Sequence, residues 1–131
     1  MAQKLENMKC VACTGATSVL SRKSISSLLK RIPGWRFVKA TKGIKGTKGK
    51  KGIKDMKITS DRIERIFRFK DFKHALDFVH KVGTIADSQG HHPNIFMHDW
   101  NKVTITLYTH AINGLSENDF IVAAKINALK V

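Results

Sequence analysis

No apolar run in this 131-residue chain approaches the roughly 20 residues that a bilayer-spanning helix requires. The first nine residues, Met1 to Lys9, lack the apolar core of a secretory signal, so the expectation is a cytoplasmic protein without a membrane partner. Cysteine is scarce, with Cys10 and Cys13 forming a single C-x-x-C. A structural zinc site needs about four ligands, and there is no second pair. A redox C-x-x-C usually opens a helix after a strand, and nothing before Cys10 resembles a strand. The two thiols read as an ordinary reduced pair in an extended N-terminal arm, residues 1–20. Acidic side chains are few as well: 10 Asp and Glu face 24 Lys and Arg, for a net charge of +14.

Hydrophobic residues make up 42% of the chain, so it is not a disordered polymer, and its length fits one domain with a single core. That domain is expected over residues 21–131, with an insertion at 41–57. Residues 41–55 repeat a tripeptide five times: Thr-Lys-Gly, Ile-Lys-Gly, Thr-Lys-Gly, Lys-Lys-Gly, Ile-Lys-Asp. Six lysines and one aspartate give the stretch +5, leaving +9 for the rest. Proline is absent and the run is short, which excludes a collagen helix. Glycine and mutual lysine repulsion make it a mobile hairpin loop, a solvated one before a dedicated binding site. The functional alternative is contact with nucleic acid or another polyanion. No aromatic side chain interleaves the lysines to stack on bases.

Elsewhere the periodicity is readable. Ser21 or Ser24 can cap a helix through Ile25, Leu28, Leu29 and Ile32 that Pro33-Gly34 ends. Trp35–Lys39 and Arg62–Phe69 read as strands one and two. Asp71 caps a long helix with an apolar stripe of Phe72, Ala75, Leu76, Val79, Val82 and Ala86, widened by Phe78 and Ile85, and Gly90 is its stop. Ile95–Trp100 and Lys102–His110 read as strands three and four, turning near Asn101-Lys102. This register puts Phe96 and Trp100 beside Val103, Ile105 and Leu107 under the helices, with Thr104, Thr106, Tyr108 and His110 opposite. Ser116 opens a last helix with Asp119 at its third position, a capping box with a Leu115–Phe120 staple. The fold class is α+β in the order α-β-β-α-β-β-α, an antiparallel sheet of about four strands with helices on one face. Its open face and edges would be exposed in a monomer, and oligomerisation is a natural way to cover them.

Where the long helix stops, His91-His92-Pro93 emerges, and strand four delivers His110. Three imidazoles flanked by Asp87 and Asp119 suit proton transfer near neutral pH. A bland reading is available for each: one imidazole caps the helix C-terminus, another packs, and Asp119 merely caps. Zinc binding would need three converging ligands, and no recognisable ligand spacing is present.

The ordered set Asp87-x-x-x-His91-His92-Pro93, Trp100-Asn101-Lys102-Val103-Thr104-Ile105, Thr109-His110 and Gly114-Leu115-Ser116-Glu117-Asn118-Asp119 resembles the pterin-4a-carbinolamine dehydratase family. Pro33-Gly34-Trp35 and Phe69-Lys70-Asp71-Phe72 support it, over residues 20–131. Asp87 stands where the family often has glutamate, and Asn94-Ile95 replaces an acidic residue and a bulky partner. The resemblance implies loss of water from a 4a-hydroxytetrahydropterin, in the service of tetrahydrobiopterin recycling, with no metal and no cofactor. It implies that His91, His92 and His110 surround the pterin, His91 and His110 as acid and base. Asp87, Pro93, Trp100, Thr109 and Asp119 are implied as binding or orienting residues. The family's fold, an antiparallel sheet with helices on one face, assembles into dimers or tetramers, and some relatives serve as transcriptional dimerisation cofactors. A basic module for nucleic acid or a regulatory protein is the competing function, and a metal-dependent hydrolase a third.

Overall fold

Helix caps, a left-handed stop and two hairpins set the element boundaries of the protein, whose computed structural model describes residues 4–11, 17–40 and 60–130. The lysine-glycine loop and Cys13 lie outside the described residues. The elements are α1 (Arg22–Leu29), β1 (Arg36–Val38), β2 (Arg62–Arg68), α2 (Phe72–Gln89), β3 (Asn94–His98), β4 (Lys102–Leu107) and α3 (Glu117–Asn127). All four strands form one antiparallel sheet in the order β1-β2-β4-β3. The expected α+β class and element order are therefore observed.

Local chemistry explains the helix ends. Ser21 is the N-cap of α1, its hydroxyl accepting from the Ser24 N–H at 3.2 Å. Asp71 does the same for α2, accepting from the His74 N–H at 2.8 Å. Gly90 closes α2 at φ +63, with its own N–H directed at Asp87 and the His91 N–H at Ala86. That pair of bonds satisfies carbonyls which a helix end leaves open. Ser116 and Asp119 form both halves of the capping box on α3.

The helices cover one face of the sheet. Ile63 of β2 and Val103, Ile105 and Leu107 of β4 share a single core with Ile25, Ile32, Phe78, Val82 and Phe120. Each such side chain contributes about 1.5–3 kcal/mol by leaving water. Arg65 sits among them in register, opposite Ile105. Its guanidinium lies over the Phe67 ring and donates to Asn127 Oδ1 and to the Pro33 carbonyl. A Cβ on Gly34 (φ +90) would come within 2.7 Å of that guanidinium, so glycine there serves both backbone and packing.

Three expectations are corrected. First, the β3–β4 turn is at Asp99 and Trp100, both with positive φ, instead of Asn101-Lys102. β3 accordingly ends at His98, and Phe96 pairs with Thr104. Paired residues share a face, so Phe96 points away from the helices (54% exposed), and Trp100 stands in the turn (61% exposed). Second, β4 ends at Leu107 and does not carry His110. Thr109 bridges to Gly114, and His110 opens a 3-10 turn, His110–Ile112. Third, the buried stripe of α2 is Ala75, Phe78, Val82 and Ala86, while Phe72 and Leu76 face outward. At about 100° per residue, Leu76 is rotated off the line that Ala75 and Phe78 define. The expected arm also holds a core residue: Leu5, in a 3-10 turn, is only 2% exposed.

Candidate active site

Gly90 releases the chain from α2 in a left-handed turn, so His91 and His92 leave in different directions. His91 turns inward. Its Nε2 lies 2.6 Å from Asp119 Oδ1, and the two side chains are 10% and 0% exposed. His92 turns outward and meets Asp87 Oδ1 at 2.9 Å, with exposures of 63% and 84%. Pro93 follows and β3 begins at Asn94.

The opposite wall comes from the segment after β4. Thr109 and Gly114 pair through backbone bonds in both directions, closing a small loop that presents His110 at the surface. The His110 ring lies 4.3 Å from that of Tyr108. Gly90, His91, His92, Thr109, His110 and Ala111 line one cleft of about 280 Å³. This is near the small end of ligand pockets.

Asp119 joins the two walls. Its Oδ2 accepts from the Ser116 N–H at 3.0 Å and the Thr109 hydroxyl at 2.8 Å. The Ser116 hydroxyl is 2.7 Å from Thr109 Oγ1 and completes the network. A carboxylate surrounded by donors on one oxygen is an acceptor on the other, which assigns the shared proton to His91 Nε2. The His91 Nδ1 lone pair is then the one available for chemistry. One side chain thus does two jobs: the cap expected of Asp119 and the orientation of an imidazole.

Of the expected site residues, the structure brings together His91, His92, Thr109 and His110 in the cleft, with Asp119 behind and Asp87 at the rim. Pro93 adjoins them in the chain. Trp100 stands in the β3–β4 turn and is not among the residues that line the cleft. Ser116, Gly90 and Ala111 are parts of the site that sequence reasoning did not assign to it. Ser116 was visible as a cap, but its link to Thr109 depends on a tertiary approach. Nothing local marks Ala111. Among the described residues, no group of three or more His, Cys, Asp or Glu side chains could hold a metal ion, and no helix is long and apolar enough to cross a membrane.

Comparison with known proteins gives a consistent result. A family model described as pterin 4 alpha carbinolamine dehydratase matches residues 18–129. The mitochondrial pterin-4-alpha-carbinolamine dehydratase 2 of Arabidopsis thaliana is 38% identical over 128 residues, covering 97% of this chain and 59% of that protein. A Rubrobacter xylanophilus protein, whose name assigns it provisionally to the same enzyme, is 35% identical over 126 residues, covering 96% of this chain and 98% of its own. The crystal structure of a transcriptional coactivator/pterin dehydratase from Brucella melitensis matches with a TM-score of 0.65 at 30% identity. That match covers 85% of this chain and 97% of the other.

Proposed function

The chain belongs to the pterin 4 alpha carbinolamine dehydratase family and is a hydro-lyase, and from that premise we propose that the cleft between His91 and His110 removes water from a 4a-hydroxytetrahydropterin. The observation that carries this reading is the convergence of His91, His92, Thr109 and His110 on one cleft, with a buried carboxylate behind His91.

The reaction breaks the C4a–O bond and the N5–H bond. The hydroxyl leaves as water by taking a proton from an acid, N5 gives its proton to a base, and a C4a=N5 double bond forms. One acid and one base placed around a flat ring supply this, each worth about 10²–10⁴ in rate. His91 is the base, through Nδ1. Asp119 holds its tautomer and offsets the charge as the imidazolium forms, the role an aspartate plays behind a catalytic histidine. His110, exposed on its closed loop, is the acid. His92, steered by Asp87, positions the pterin edge. The product, a quinonoid dihydropterin, needs reduction before reuse, so the enzyme serves tetrahydrobiopterin recycling.

The experiment is stopped-flow absorbance of carbinolamine decay, with and without chelator. His91→Ala and His110→Ala should each abolish most of the acceleration, and chelator should change nothing. Full activity in His110→Ala would sink the acid assignment, and zinc-restored activity would favour a hydrolase-like metal site. We assign the enzyme to the cytoplasm as a homodimer or homotetramer. Support for assembly comes from Phe72 and Leu76, outward-facing one turn apart on α2, and from β1 and β3, the edge strands of the sheet among the described residues. Sedimentation equilibrium measures it.

The net charge of +14 is the observation behind the competing reading, contact with nucleic acid or a regulatory partner, which ranks below the dehydratase. Steeply salt-dependent DNA or RNA binding that disappears on deletion of residues 41–55 would establish it.

A further inference from the structure

We propose that residues 5–11 are part of the catalytic unit, a strap whose hold reaches the His91–Asp119 couple through two positioning residues, Gln89 and Asn118. The inference rests on the assignment of His91 as base. It concerns chain that lies before the family match, which begins at residue 18.

The strap is anchored at one end by Leu5 in the core and by Lys125, whose ammonium donates to the Glu6 carbonyl at 2.9 Å. At the other end it touches both helices that build the site. The Cys10 N–H donates to Gln89 Oε1 at 3.0 Å. The Val11 N–H donates to Asn118 Oδ1 at 3.1 Å, and Asn118 Nδ2 returns a bond to the Val11 carbonyl. The Cys10 thiol lies 3.7 Å from the Asn118 carbonyl oxygen.

The positions of these contacts matter. Gln89 is the last residue of α2, with only Gly90 between it and His91. Asn118 immediately precedes Asp119 in the first turn of α3. The strap therefore spans the two backbones whose separation sets the His91 Nε2–Asp119 Oδ1 distance. Helix formation does not account for Asn118, because asparagine is a mediocre interior helix former and its amide serves the Val11 backbone instead of its own helix. It is 3% exposed, so losing the Val11 bonds would weaken the hold on the first turn of α3. A misplacement of about 1 Å costs up to about a hundredfold in rate.

The test uses the full chain. Gln89→Ala, at a partly exposed helix end, should lower kcat about tenfold with KM and melting temperature nearly unchanged, and Gln89→Glu, which keeps an acceptor for the Cys10 N–H, should restore it. Asn118→Asp keeps one of the two Val11 bonds and should fall between wild type and Asn118→Ala. An independent readout is the NMR signal of the His91 imidazole, which should move in Gln89→Ala while that of His80, exposed on α2, stays. Wild-type kcat in Gln89→Ala together with an unmoved His91 signal overturns the proposal. If His91→Ala itself keeps full activity, the acid/base reading fails, and the His91 signal still decides whether the strap positions that ring.

Discussion

His91 and His92 are neighbours in sequence and each imidazole faces an aspartate, but the two pairs occupy different dielectric worlds. His91–Asp119 is buried, 2.6 Å long and backed by two further donors. His92–Asp87 is 2.9 Å long and open to solvent on both sides. A buried pair interacts strongly and is costly to break, whereas an exposed pair is screened and weak. The difference follows from the turn at Gly90, which sends consecutive side chains to opposite sides of the cleft wall. The same pair of residue types thus yields one buried, firmly held imidazole and one adjustable contact.

The sharpest way to break this comparison is His91→Ala, for which kcat/KM should fall by about 10²–10⁴, against a much smaller loss for His92→Ala. Equal losses in stopped-flow assays would erase the distinction. Next in size is Asp119→Ala, expected to destabilise by about 3 kcal/mol because it removes the buried acceptor shared by His91, the Thr109 hydroxyl and the Ser116 N–H; a urea midpoint measures this. Asp87→Ala should cost less than about 1 kcal/mol and change activity by less than about fivefold. Raising salt to about 1 M, where charges are screened beyond ~3 Å, should remove even that difference and leave the Asp119 effect intact. The smallest effect belongs to another exposed pair. The His74 backbone N–H, and then its ring, hold Asp71 below its ordinary value of 3.8. A depressed carboxylate stabilises the fold above its unfolded pKa and stops doing so as pH falls through the folded one. The contribution of Asp71 should therefore be full above about pH 4 and fade as pH falls from there through the lower folded value, and Asp71→Asn should flatten that portion of the acid melting curve.

Features set by nearby residues were legible in the sequence. Asp71, Gly90, Ser116 and Asp119 each act within four residues of their partners, and each occupies the expected cap or stop. The stop at Gly90 that releases His91 and His92 was readable too, whereas His110 was expected on strand four and instead follows it in a 3-10 turn. What failed depended on register or on distant partners. The turn at Asp99-Trp100 contains no glycine, although both residues take positive φ, so its position was hidden and Phe96 changed face. The stripe on α2 was misplaced because Phe72 and Leu76 are as apolar as the residues that are buried. Leu5 looked like tail because its partners lie more than a hundred residues away, on α3.

The paired backbone of Thr109 and Gly114 has a consequence for how such an enzyme could diversify. It makes the His110 loop a cassette whose two ends are fixed and whose interior is held by Ser60, which donates to Asn113, and by the Tyr108 ring beside His110. Closing a loop becomes only slowly harder as residues are added, so insertions between His110 and Gly114 can reshape the entrance for a bulkier ring substituent without disturbing the proton network beneath.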